Sequence, residues 1–297
     1  MAKPLPRDLF VHFSQGLLMG GADIIPGVSG GTMALIVGIY ERLIASVRAA
    51  LTLPVTIFKG WDAAKKQFME VEWRLVLPLA AGILLAIVVA STFIPYLLET
   101  YPAECRGLFF GLIVASIMIP WRRIESAGAK EYVLTAAMAV LAYFLSGLTA
   151  SEVAEPGLLR VFLSASVAIC AMILPGVSGA FLLLVLGMYE PTLEAIHARD
   201  LGYIAVFGLG AAVGLGLFSR LLHFLLDRYP DLTMAALVGL MAGSLRALWP
   251  WLSEDRQVLL PETDGTSLIV LVLALVGFAF VFALTKLAGK RIEAEAA

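Results

Sequence analysis

Pro26-Gly27-Val28-Ser29-Gly30 and Pro175-Gly176-Val177-Ser178-Gly179 are one pentapeptide written twice, each copy in the middle of a long apolar stretch, residues 9–47 and 159–196. Proline removes a backbone donor and glycine admits turns closed to other residues, so each stretch reads as two half-helices joined at a break. The likeness runs outward from the breaks. Ala22-Asp23-Ile24-Ile25 lies over Ala171-Met172-Ile173-Leu174, and Gly38-Ile39-Tyr40-Glu41 meets Gly187-Met188-Tyr189-Glu190. Leu98-Glu99 and Tyr101-Pro102 before Gly111 and Ser116 echo Leu226-Asp227 and Tyr229-Pro230 before Gly239 and Ser244. The chain therefore reads as two copies of one unit, 1–150 and 151–297, the second shorter because it lacks a polar insert around 52–72.

The rest of each copy is built for lipid. The 297 residues are 60% hydrophobic and 15% charged, against about 45–50% and about 25% in ordinary globular domains. A bilayer core needs about 20 apolar residues per helix. Six stretches meet or approach that length: 73–98, 107–121, 132–148, 201–226, 232–249 and 267–287. The expected fold is all-α and polytopic, each copy being one re-entrant hairpin plus three spans. An odd number of spans turns the second copy upside down relative to the first. Inverted repeats with discontinuous helices are the architecture of alternating-access transporters, whose site lies at the repeat interface. The same breaks also read as tight packing around small residues, with Gly16, Gly20, Gly210 and Gly214 letting helices approach closely.

Lysine and arginine favour cytoplasmic loops. With both broken stretches re-entrant, Lys3, Arg7, Arg42, Arg48, Lys59, Lys65, Lys66, Arg74, Arg122, Arg123, Lys130, Lys286, Lys290 and Arg291 fall inside. Glu99, Glu104, Glu152, Glu155, Glu254, Asp255, Glu262 and Asp264 fall outside. Both termini are then cytoplasmic. The connection near Asp227, Arg228 and Asp231 faces the cytoplasm on this assignment without a positive excess.

Ser29 and Ser178 each follow a Pro-Gly break and precede a helical run, the place of an N-cap. Free N–H groups and the positive end of the helix dipole beyond such a cap attract anions. Ser29, Gly30, Gly31 and Thr32 with Ser178 and Gly179 are the candidate phosphate ligands, Phe181 standing where Thr32 would recur; capping alone explains the serines equally. A carboxylate at membrane depth costs at least about 2.5–3.5 kcal/mol, which singles out Asp23. It reads as a proton-coupling group, since a proton on it would relieve repulsion with an entering phosphate, or as a cap for backbone N–H groups at the break. Its counterpart is Met172, so the two halves are not chemically equivalent. Glu41 is a second coupling candidate, although it and Glu190 sit beside tyrosines where interfacial anchoring serves as well. Arg106, Arg246 and Glu190 are candidate head-group contacts; for the arginines ordinary snorkelling is the alternative.

A net charge of -2 without a basic run gives nucleic acid no footprint. Cys105 and Cys170 lack metal-ligand spacing, and the sequence suggests neither metal nor cofactor. Gly27-Val28-Ser29-Gly30-Gly31 fits the GxSxG nucleophile pattern, but a serine nucleophile needs a base within reach. His12, His197 and His223 are the only histidines, and on this topology all lie away from the depth of Ser29. A transporter is expected rather than an intramembrane serine protease; a carrier of a small soluble anion is the nearer alternative.

At Gly20-Gly21-Ala22-Asp23-Ile24-Ile25-Pro26-Gly27-Val28-Ser29-Gly30-Gly31-Thr32, Gly38-Ile39-Tyr40-Glu41 and the second pentapeptide, the sequence resembles the bacterial polyprenyl-phosphate translocases of the PopT family. The resemblance covers nearly the whole chain. It implies a flippase that returns undecaprenyl phosphate, the lipid carrier of cell-wall precursors, from the outer leaflet to the inner, with that lipid and the bilayer as its partners.

Overall fold

The computed structural model describes residues 6–23, 29–58, 60–149, 153, 156–253, 256–261 and 265–296. Pro26-Gly27-Val28 of the first pentapeptide lies outside them, as do Lys3, Lys59, Glu152, Glu155, Glu254, Asp255, Glu262 and Asp264. The fold is all-α. Its helices are α1 (Pro6–Asp23), α2 (Gly30–Ile36), α3 (Tyr40–Ile57), α4 (Trp61–Glu70), α5 (Trp73–Thr100), α6 (Pro102–Trp121) and α7 (Ala129–Leu145). There follow α8 (Leu158–Ile173), α9 (Gly179–Val185), α10 (Tyr189–His197), α11 (Leu201–Arg228), α12 (Pro230–Ser244), a 3-10 turn (Leu245–Leu248) and α13 (Gly265–Ala296).

Each broken stretch is three helices where the sequence suggested two. The second break falls at Gly38 and Gly187, whose φ values of 76° and 71° are the left-handed conformation that a Cβ opposes. In the first copy the amide of Ile39 donates to Ala34 O (2.9 Å) and that of Gly38 to Leu35 O (3.2 Å). In the second, Met188 donates to Leu183 O (2.8 Å) and Gly187 to Leu184 O (3.1 Å). Both are Schellman caps, which pair the last carbonyls of a helix and turn the chain out of it. Beyond the second cap the chain bends by 103° from α9 into α10. Tyr40-Glu41 and Tyr189-Glu190 thus open α3 and α10.

Among the described residues four helices are long and apolar enough to cross a membrane: Pro102–Trp121, Leu201–Arg228, Pro230–Leu248 and Gly265–Ala283. The number rises to six if each of two bent pairs, Trp61–Glu70 with Trp73–Val89 and Gly179–Val185 with Tyr189–His197, is one span. Expected spans 107–121, 201–226, 232–249 and 267–287 fall on those four, while 73–98 falls in α5 and 132–148 runs past the end of the 17-residue α7 at Leu145. Leu84, Val88, Leu217, Leu268, Leu275 and Phe280 are exposed, an apolar surface suited to lipid rather than water. The insert around 52–72 is also helical, formed by the end of α3 and by α4.

Small residues set the closest helix contacts. A Cβ on Gly16 or Gly20 would strike the α5 backbone at Leu79 and Ile83, and one on Gly210 or Gly214 the α8 backbone at Phe162 and Ser166. Gly111 meets Ala274 of α13, and Gly239 and Gly243 meet α7 at Thr135 and Ala139. Four intimate pairs result: α1–α5, α8–α11, α6–α13 and α7–α12. The last two cross between the halves of the sequence. The buried core, including Leu35, Tyr40, Ile44, Leu79, Leu222 and Leu237, lies where α2 and α3 meet α5, α11 and α12.

Candidate functional site

At the first break, Ser29 caps α2 from extended backbone (φ -128°, ψ 137°), and its Oγ accepts from Gly31 N–H at 3.1 Å. Asp23, the last residue of α1, reaches across the break so that Oδ1 accepts from Gly30 N–H at 2.7 Å. A helix N-terminus presents unpaired donors and a positive dipole end to any nearby anion. Here the protein's own carboxylate takes that place, so the capping alternative for Asp23 describes its position.

The first break also holds the second. The Ser29 hydroxyl lies within donating distance of Met172 O (3.1 Å) and Leu174 O (3.3 Å), and Tyr40 Oη donates to Ile173 O (3.2 Å). These are carbonyls at the C-terminal end of α8, where helical partners run out. In return Gly176 N–H donates to Thr32 Oγ1 at 3.0 Å. Ser29, Thr32 and Tyr40 are fully buried in this clasp. The Thr32 hydroxyl, placed by the sequence reading in an anion cradle, is engaged with Gly176 instead. Gly176 itself has φ 83°, and a Cβ there would meet Met241 Cα at 2.8 Å.

The second break is more open. Ser178 caps α9 (φ -95°, ψ 122°), its Oγ accepting from Phe181 N–H at 3.3 Å. Met172 fills the place of Asp23: a Cβ on Gly179 would strike Met172 Cγ, just as one on Gly30 would meet Asp23 Oδ2. Among the described residues the N–H groups of Gly179 and Ala180 make no hydrogen bond. Both residues line a cavity of about 240 Å³ together with Ser178, Ala168, Phe207 and Asp23. One space thus holds the carboxylate of the first break and the open end of the second. A cavity of about 280 Å³ nearby is walled by apolar groups including Leu18, Met33, Phe109 and Phe280.

Glu41 lies at another level, paired with Arg123 at 2.6 Å with both side chains partly in solvent. Glu190 is exposed in the first turn of α10. His12 Nδ1 lies 2.8 Å from Gln15 Oε1, and His223 Nε2 lies 3.3 Å from Asp227 Oδ2. No histidine among the described residues bonds to Ser29 or Ser178. Nor, among those residues, do three or more His, Cys, Asp or Glu gather as metal ligands.

Residues 19–263 match the family described as VCA0040-like, undecaprenyl phosphate translocase-like. The chain belongs to this family. A polyprenyl-phosphate transporter of Vibrio cholerae is 39% identical over 241 residues, covering 80% of this chain and 77% of its own. One of Staphylococcus aureus is 26% identical over 265 residues, covering 83% and 88%. No solved structure matches. The chain is a multi-pass membrane protein of this translocase-like family, and these relatives are named as transporters rather than enzymes. Arg256, absent from the sequence-based candidates, lines a small cavity of about 40 Å³ on another side of Ser178, with Ser146, Gly176 and Ser244. Its signal in the sequence was hidden in a connection read only for its acidic charge.

Proposed function

We propose that this protein moves a polyprenyl phosphate, undecaprenyl phosphate in particular, between the leaflets of the bacterial inner membrane. One observation carries the reading: Asp23 and the open N-terminus of α9 line the same cavity. The phosphate takes the Gly179 and Ala180 N–H groups with Ser178. Ionised, Asp23 holds Gly30 N–H and repels the entering anion. Protonated, it no longer repels the anion, and its weaker hydrogen bond can yield Gly30 N–H to a further phosphate oxygen. The prenyl tail stays in lipid, its first units against the apolar cavity beside Met33 and Phe109.

Movement across the bilayer is by alternating access of two inverted repeats, 1–150 and 151–297, each with a re-entrant hairpin. Support comes from the matched helix order, the equal Schellman caps, and the matching pairs α1–α5 with α8–α11 and α6–α13 with α12–α7. Both termini are cytoplasmic in this reading, which the bias of lysine and arginine supports. Glu41, Arg123 and Asp231 share one end of the bundle, where Asp231 accepts from the amides of Glu125 and Ser126 at 3.1 Å each.

Leaflet exchange of a fluorescent polyprenyl phosphate in proteoliposomes tests the proposal. Wild type should exceed empty vesicles, and Ser178→Ala should slow exchange about tenfold, a loss of about 1.4 kcal/mol. Asp23→Asn, whose Oδ1 still accepts from Gly30, should slow it similarly and flatten its pH dependence. No exchange by wild type, or full competition by inorganic phosphate, would refute a lipid substrate. An unchanged pH profile in Asp23→Asn would refute proton coupling alone.

A further inference from the structure

Arg246 and Arg256 meet beside the second break, and the charge of Arg106 acts on Arg256 there. The Arg256 guanidinium lies 4.4 Å from the centre of the Phe181 ring, and that of Arg246 lies 4.5 Å from the centre of Tyr143. Arg246 donates to Tyr143 O (3.1 Å) and to Arg256 O (3.3 Å), tying the connection to α7. Yet the Nε groups of both Arg246 and Arg256 are enclosed without a hydrogen-bond partner. Buried donors of a charged group are costly to leave unmatched. No carboxylate among the described residues forms an ion pair with Arg106, Arg246 or Arg256. Burial lowers the pKa of Arg256 from its ordinary value, and the charges of Arg106 and Arg246 lower it further; arginine stays cationic all the same. Repelling charges with unmatched donors are the complement of an anion.

Position gives that anion a route. Arg256 shares its small cavity with Ser146, Ser178 and Ser244, and Ser178 also borders the larger cavity that Asp23 lines. We propose that Arg106, Arg246 and Arg256 form a second anion site, a vestibule that captures a phosphate group and delivers it past Ser178 to the central cavity. Arg246 fixes the connection, while Arg256 and Arg106 supply the capture. Capture of a lipid phosphate rests on the function proposed above. An arginine site for phosphate as such does not.

The test is binding of undecaprenyl phosphate to the full-length protein in detergent, with neutral undecaprenol and inorganic phosphate as parallel probes, and leaflet exchange measured beside it. Arg256→Gln and Arg106→Gln should each weaken undecaprenyl phosphate binding about tenfold, in line with loss of a charge-assisted hydrogen bond. They should raise the lipid concentration for half-maximal exchange while leaving the maximal rate and thermal unfolding near wild type. Arg256→Lys should recover most of the affinity, and undecaprenol binding should not respond. Wild-type affinity in both glutamine variants would overturn the vestibule, and the functional reading would survive if wild type still exchanges the lipid. Arginine-dependent binding of inorganic phosphate by a protein that neither binds nor moves the lipid would uphold the anion site and refute the lipid substrate. Binding of neither probe by wild type would overturn both.

Discussion

The two helix breaks share a pentapeptide, an N-cap serine and a Schellman cap, yet they do opposite things. At the first, Asp23 closes the helix end, and Ser29, Thr32 and Tyr40 are buried against the second. At the second, Met172 stands where the carboxylate was, and the helix end opens into a cavity. The repeated residues set the backbone; residues outside the pentapeptide set the role. One copy has become the brace and the other the opening. The shared cavity makes the brace's carboxylate a neighbour of whatever enters.

Making the breaks alike should have the largest effect. Met172→Asp places a carboxylate beside Gly179 as Asp23 stands beside Gly30. If the open end of α9 holds the phosphate, a tethered anion there excludes it, and repulsion in a poorly screened interior is worth several kcal/mol. Exchange in proteoliposomes should fall about a hundredfold, equivalent to about 2.7 kcal/mol. The fold should tolerate the change, because the first copy already accommodates the same arrangement. Wild-type exchange by this variant would mean that the phosphate binds elsewhere and that the asymmetry is only structural.

Much of this was legible in the sequence, and what was not has physical reasons. Apolar length placed the four long spans, and the duplicated pentapeptide placed the main breaks. Gly38 and Gly187 were visible as repeat markers, but a lone glycine in an apolar run does not announce a left-handed cap until the amides of Ile39 and Met188 have carbonyls to meet. The pairs α6–α13 and α7–α12 depend on which glycine faces which backbone, and hydropathy carries no such information. Asp23 was recognised by its cost; its partner, Gly30 N–H, is a backbone group present at every residue. Arg256 escaped because Phe181 and Arg106, which act on it, are distant in sequence, and only the fold turns Arg246, ten residues away, back onto it.

The tyrosines sharpen the comparison at an intermediate scale. Tyr40 is 1% exposed and donates to Ile173 O, whereas Tyr189, its counterpart, is 38% exposed. Tyr40→Phe keeps the ring but leaves a buried carbonyl unmatched, which costs about 1–3 kcal/mol. Tyr189→Phe removes a hydroxyl from a partly exposed site, where changes stay within about 0.5 kcal/mol. Thermal unfolding in detergent should separate them, with Tyr40→Phe clearly less stable. Equal losses would mean that the clasp does not depend on the first copy's tyrosine.

The glutamates that follow these tyrosines should differ least. Glu41 pairs with Arg123 at 2.6 Å, but side-chain exposures of 57% and 37% leave the pair open to water. Such pairs contribute about 0.2–1 kcal/mol, and salt screens them. Glu41→Gln should therefore lower stability by about 0.5 kcal/mol at low ionic strength, a deficit that shrinks in salt, while Glu190→Gln has no measurable effect. Exchange by Glu41→Gln should retain the wild-type pH profile, because an ion pair at the end of the bundle is separate from the cavity that Asp23 shares with Ser178. If Glu41→Gln instead flattens that profile, the proton passes through the hydrated end of α3. The difference between the two breaks would then lie at their tyrosine-glutamate turns as well as at Asp23 and Met172.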